Sequence, residues 1–221
     1  MHKELYFTPA SLSSKSKELL NTVRDFRRRH DRVLAPGRAA LLVLDMQDYF
    51  LKETSHAFVP SGRAIIPPIQ ALLSIFSTRH YPVIFTRHAN RPEDVGLMAV
   101  WWQDILGADS PYSAITAELD MAGAIIVEKN QYDAFYGTHL EKMLRAMGVS
   151  QIVICGVMTH LCCETTARSA FMRGFEVFFC IDGTATYTEA FHKASLMNLA
   201  HGFAIPVLIE EVMSAFEQHE P

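Results

Sequence analysis

A chain of 221 residues, 49% hydrophobic and 20% charged, can bury one large core as a single domain, which excludes an intrinsically disordered chain. A net charge of −4 gives no general reason to expect nucleic acid or an anionic membrane as partner, and no apolar run reaches the roughly 18 residues of a membrane span. Without a signal-peptide pattern at the N-terminus the expected location is the cytoplasm. The four cysteines, Cys155, Cys162, Cys163 and Cys180, lack C-x-x-C spacing and read as reduced thiols rather than a disulfide framework or a structural zinc site.

In chain order, the spacing of Leu19, Leu20, Val23 and Phe26 among charges predicts an amphipathic helix from about Ser11 to Val33. Its basic stretch from Arg24 to Arg32, interrupted by Asp25 and Asp31, reads as a solvated helix face. Ala35-Pro36-Gly37 breaks the chain. Residues 1–35 are thus expected as an N-terminal helical extension before a domain spanning 36–221. The apolar run Ala39 to Leu44, ending at Asp45, reads as a strand buried on both faces.

The pattern then repeats. A helix from about Arg63 to Arg79 precedes a strand Pro82 to Thr86 and an irregular stretch holding Trp101 and Trp102. A strand Ala124 to Val127, a helix His139 to Met147 and a strand Gln151 to Cys155 come next. They are followed by a helix Cys162 to Arg173, a strand Glu176 to Ile181 and a helix Glu189 to His201, then a short strand near Pro206 and a last helix. Six strands alternating with helices predict an α/β fold: a doubly wound six-stranded parallel sheet of order 3-2-1-4-5-6 with helices on both faces. Ligands bind such sheets at the carboxyl ends of the strands, so residues directly after strands are the first candidates for chemistry. Glycine-rich dinucleotide, P-loop and G-x-S-x-G motifs are missing from the sequence, which leaves those readings without support.

Three polar positions stand beyond strand-like runs: Asp45 after the first, Lys129 after the third, and the segment Gly156 to Cys162 after the fourth. Singly, each has a plain structural reading as a turn residue, a solvated charge or an inert buried thiol. Together they would share one rim of the sheet. At a helix start Cys162 is favoured as a thiolate, a neighbouring Lys129 would lower its pKa further, and Asp45 could take its proton and return it to a leaving group.

The segments Ala39 to Phe50, Glu128 to Thr138 and Gly156 to Met172 resemble, in that order, three blocks of the isochorismatase-like cysteine hydrolases. That family includes nicotinamidases, N-carbamoylsarcosine amidohydrolase, ureidoacrylate amidohydrolases and true isochorismatases. The resemblance runs from about Pro36 to the last helix, and the preceding helix is similar to an N-terminal extension of some isochorismatases. It implies Asp45 as general base, Lys129 as cationic partner and Cys162 as nucleophile. It further implies a cis peptide at Val157–Met158 and an oxyanion hole made by the backbone N–H groups of Met158 and Cys162. Gln47, Phe50, Arg87, Trp102, Tyr132 and Phe135 fall in segments that approach the substrate in the family, the aromatics as walls and Arg87 as a carboxylate clamp. For Trp101 and Trp102, packing in the core or between subunits is an equal alternative. Arg168 is expected to be structural, and His88 and His160 to be hydrogen-bonded polar residues.

Two departures matter. Nicotinamidases carry a metal-binding Asp and His set, whereas His56 is the only histidine in the corresponding stretch and lacks D-x-H spacing, so no metal and no other cofactor is expected. True isochorismatases usually have a small residue where this chain has Cys162. The expected function is therefore hydrolysis of a C–N bond in a small amide or carbamoyl substrate through a thioester. Hydrolysis of isochorismate to 2,3-dihydro-2,3-dihydroxybenzoate and pyruvate is the alternative, and a catalytically silent binding or assembly protein is a further one. The resemblance, with the aromatics near Trp101, implies a homodimer or homotetramer.

Overall fold

The computed structural model describes residues 2–28, 30, 32–102 and 104–218. At its centre lies a six-stranded, all-parallel sheet in the order β3-β2-β1-β4-β5-β6. The strands are β1 (Ala39–Leu44), β2 (Val83–His88), β3 (Ile125–Lys129), β4 (Gln151–Val157), β5 (Glu176–Ala185) and β6 (Ile205–Val207). All six residues of β1 and all seven of β4 are buried, as their unbroken apolar sequences require in a sheet covered on both faces. Leu42 of β1 faces Ile84 of β2 on one side and Ile154 of β4 on the other. Strand order therefore reverses between β1 and β4, and the crevice expected of such a sheet opens there.

The helices are α1 (Leu12–Arg27), α2 (Asp48–Leu51), α3 (Ile66–Thr78), α4 (Met98–Trp101), α5 (Leu140–Ala146), α6 (Glu164–Met172), α7 (Glu189–Gly202) and α8 (Ile209–Glu217). Helix α1 ends at Arg27, short of the expected Val33. Of its basic stretch, Arg27 pairs with Glu211 at 2.6 Å and Arg32 with Glu176 at 3.4 Å, while Arg29 and Asp31 lie outside the described residues. The expected helix from Arg63 starts as a 3-10 turn, Pro60–Ile65, before α3 takes over with prolines in its first turn, where no backbone donor is lost.

The N-terminal segment is not an appendage. Tyr6, Phe7, Leu19 and Val23 are buried in the same core as the sheet strands, so a boundary at residue 35 separates stretches of chain but not cores. Nor is β4 joined to its helix by an ordinary turn. A cis peptide links Val157 to Met158, and Thr159–Cys163 form a π-helical turn leading directly into α6. Gly156 enters this region with φ at 116°, and a Cβ there would lie 2.0 Å from the Leu44 carbonyl oxygen, so only glycine lets β4 approach the end of β1 this closely. No helix among the described residues is long and apolar enough to cross a membrane.

Candidate active site

Four strand ends meet at the crevice, and each delivers one polar group. Asp45 leaves β1 with φ at 51°, a left-handed conformation that Asp tolerates better than most residues. Its backbone N–H donates to Thr86 Oγ1 at 3.0 Å, and the same hydroxyl donates to Asp45 Oδ1 at 2.6 Å. Thr86, fully buried on β2, thus fixes one carboxylate oxygen. The other, Oδ2, lies 2.7 Å from the ammonium of Lys129, the last residue of β3. Lys129 Nζ also donates to the Gln131 carbonyl at 2.9 Å and to Cys162 Sγ at 3.4 Å. The side chains of Asp45 and Lys129 have no solvent exposure, and Cys162, 5% exposed, separates them from the cavity.

Charge state follows from this geometry. Burial opposes ionisation of Asp45, but Lys129, His88 and the thiol hydrogen bond from Cys162 outweigh it and hold the carboxyl below the usual range. Burial likewise opposes the Lys129 ammonium, and Asp45 with Cys162 more than restores it. The site thus holds a buried carboxylate–ammonium pair at neutral pH. For Cys162 the balance runs the other way: burial and the Asp45 charge push the thiol up to about 12 against the pull of Lys129. The sequence-based expectation of a resting thiolate is corrected accordingly, because burial and the charge of Asp45, which also accepts the thiol hydrogen bond, together outweigh Lys129. In the resting site the proton stays on sulfur, with an acceptor carboxylate beside it.

Cys162 opens onto a narrow cavity of about 70 Å³. Of the expected substrate-binding residues, Phe50, Trp102 and Tyr132 line it, and Trp102 Nε1 donates to Tyr132 Oη at 2.6 Å. Three expected pocket residues do not reach it. Arg87 follows Thr86 on β2, so its side chain takes the opposite face and pairs with Glu128, its registered neighbour on β3. Gln47 is buried and stitches loops together, donating to the carbonyls of His88 and Ser113 and accepting from the His88 N–H. Phe135 stacks on Phe175 with the Arg173 guanidinium over its ring.

Thr86, Asn90, Asp104 and Tyr187 were missed by sequence reasoning, and His56 and His88 were weighed there but not placed at the site. His88 closes β2, and Thr86, two residues earlier, lies on the same face of the strand, so the end of β2 marks both. His88 Nε2 lies 3.0 Å from Asn90 Oδ1, and burial with the Lys129 charge lowers the imidazole to about 4, leaving it neutral. His160 sits behind the site, bonded to Thr186 and stacked on Phe191. Arg168 pairs with Glu164 and lies over the Phe203 ring. Among the described lining residues there is no Lys or Arg, and the acidic one, Asp104, pairs with His56 at 3.0 Å. No group of three or more His, Cys, Asp or Glu among the described residues is arranged to hold a metal ion, so the residues present do not fit the metal site of nicotinamidases.

Residues 39–211 match the family model for the isochorismatase domain. The chain is 42% identical over 173 residues to nicotinamidase 3 of Arabidopsis thaliana, covering 75% of this chain and 82% of that protein. It is 31% identical over 188 residues to enterobactin synthase component B of Escherichia coli, covering 84% of this chain and 66% of that longer protein. Among solved structures, a cysteine hydrolase from Pseudomonas syringae pv. phaseolicola superposes with a TM-score of 0.80 at 30% identity, covering 84% of this chain and 95% of the other. With its sheet order, its β1–β4 crevice and a matched domain covering most of its length, this chain belongs to the isochorismatase family of hydrolases.

Proposed function

We propose that the protein is a cysteine-dependent amidohydrolase acting on a small, uncharged amide or ureide. The observation that carries this reading is the placement of the Cys162 sulfur between the cavity and the buried pair, 3.4 Å from Lys129 Nζ. As Cys162 attacks the substrate carbonyl, the S–C bond forms and the thiol proton passes to Asp45. Lys129 stabilises the negative charge developing on sulfur, and the N–H groups of Met158 and Cys162 accommodate the carbonyl oxygen as it becomes an oxyanion. The C–N bond then breaks while Asp45 returns the proton to the departing nitrogen. Water attacks the thioester and gives a proton to Asp45; the acid leaves, and the proton returns to sulfur.

The similarity to the isochorismatase of Bacillus subtilis, 28% identical over 185 residues, favours a second reading, vinyl-ether hydrolysis of isochorismate. The cavity weighs against it. Isochorismate brings two carboxylates, and a pocket with no Lys or Arg among its described lining residues gives them no charge-assisted partner there. Turnover of small amides, carbamoyl amino acids and isochorismate by the wild type and Cys162→Ala decides between them. Ammonia or amine release that vanishes in the variant supports amide hydrolysis; dihydrodiol formation that survives it overturns the reading. In the same proposal the working unit is a homo-oligomer, since Leu97, Val100 and Trp101 beside the cavity mouth are 83%, 82% and 78% exposed.

A further inference from the structure

The first described residues run across the outside of one cavity wall. That wall comes from two stretches far apart in sequence: His56 and Ala57 in the loop after α2, and Tyr187 between β5 and α7. The Tyr187 hydroxyl donates to the Ala57 carbonyl at 3.4 Å, the only hydrogen bond directly joining those lining residues among the described residues, and a long one. The N-terminal segment supplies the rest. The Lys3 ammonium donates to the His56 carbonyl and lies 4.5 Å from the centre of the Tyr187 ring. The next residue, Glu4, gives its backbone N–H to the Tyr187 carbonyl at 2.7 Å and accepts the Glu189 N–H on its carboxylate at 3.0 Å. The segment is itself anchored, because the N–H groups of Tyr6 and Phe7 both donate to Ser61 Oγ at 3.0 Å and the Tyr6 hydroxyl accepts from the Thr186 N–H.

We propose that residues Lys3 to Phe7 form a strap that positions this wall, and that Lys3, tying His56 to Tyr187, sets how bulky a group can enter beside Cys162. Lys3 is a positioning residue: it does not line the cavity and acts through the two residues it joins. The inference rests on Cys162 being the atom substrates must reach. Its test reads access to that sulfur rather than turnover, so it is independent of whether any amide is hydrolysed.

The full-length wild type, Lys3→Met, Lys3→Arg and Glu4→Gln are alkylated with iodoacetamide and with N-benzyl iodoacetamide, and the rate at Cys162 is read by peptide mass spectrometry. Lys3→Met should raise the ratio of bulky to small alkylation roughly fivefold, as the loss of a cation–ring contact and a charge-assisted hydrogen bond loosens the wall. Iodoacetamide alone should label at a nearly unchanged rate. Lys3→Arg, which keeps the charge and the donors, should stay near the wild-type ratio, and so should Glu4→Gln, which keeps the backbone bond to Tyr187 and an oxygen to accept the Glu189 N–H. A ratio unchanged in Lys3→Met overturns the proposal, and so does a lowered melting temperature without any change in the ratio, because a strap that only stabilises the fold would behave that way.

Discussion

Replacing Asp45 with Asn removes the anion that holds the Cys162 proton in place while keeping the shape of the side chain. Asp45 raises the Cys162 pKa both by its charge and by accepting the thiol hydrogen bond. A like charge at contact distance is worth about 1–3 pKa units, so the thiol should fall from about 12 toward the range of about 9–11. With Asp45 neutral, the buried Lys129 ammonium loses its partner at 2.7 Å, and the sulfur at 3.4 Å becomes its counter-ion, which pushes in the same direction. A less basic thiolate is also a weaker nucleophile, so iodoacetamide labelling at pH 8 should rise by roughly 3- to 50-fold rather than by the full gain in thiolate. Turnover should fall by about 10²–10⁴, because no group is left to carry the proton to the leaving nitrogen. Leaving a buried ammonium without its carboxylate costs up to about 3–5 kcal/mol, so a thermal melt must accompany the assay. A folded Asp45→Asn protein whose labelling is unchanged or slower refutes the electrostatic account. Lys129→Met is the informative companion. Without the ammonium, the buried Asp45 takes up a proton, two opposed charges disappear together, and labelling should move less than in Asp45→Asn.

Further outcomes follow from burial and charge. His88 and His192 are held neutral in the fold, by burial above all, at about 4 and about 3, whereas in the unfolded chain they protonate near 6.5. The unfolded state therefore binds more protons as pH falls, and stability present above pH 6.5 should be lost at about 1.4 kcal/mol per pH unit per histidine down to about pH 4. Because Cys162 remains a thiol in the fold to about 12, stability should also decline above about pH 9. Urea midpoints measured across pH test both limbs, and a flat profile from pH 7 to 4 contradicts the histidine limb. Cys163→Val should keep turnover within about threefold of wild type, since that fully buried thiol lies about a quarter turn further round the helix and packs in the core. Light scattering at micromolar concentration should give at least twice the 24.9 kDa chain mass, and a monomer mass contradicts the proposed use of the Leu97–Trp101 face.

Elements dominated by one local signal were legible in the sequence. Unbroken apolar runs marked β1 and β4, alternation with helices gave a parallel sheet, and the polar residue closing each run located Asp45 and Lys129. What escaped was set by contacts between distant segments. The direction of the Cys162 shift depends on whether Asp45 and burial outweigh Lys129, a balance of distances that no spacing encodes. Arg87 was misplaced although the signal was available, because two-residue alternation along β2 already puts it on the face opposite Thr86. Tyr187 joined the cavity unnoticed, as it stands between β5 and α7 in a stretch with no motif, held there partly by residues more than 180 positions earlier.

The central claim is that Cys162 carries the acyl group of the substrate during turnover. Its most direct test is acid quenching of the wild type at saturating concentration of an accepted amide, followed by peptide mass spectrometry of the segment containing Cys162 and Cys163. The account predicts an added mass equal to the acyl portion, located on Cys162 and missing from Cys162→Ala, which should release no amine. An adduct on Cys163, or amine release that persists in Cys162→Ala, contradicts it.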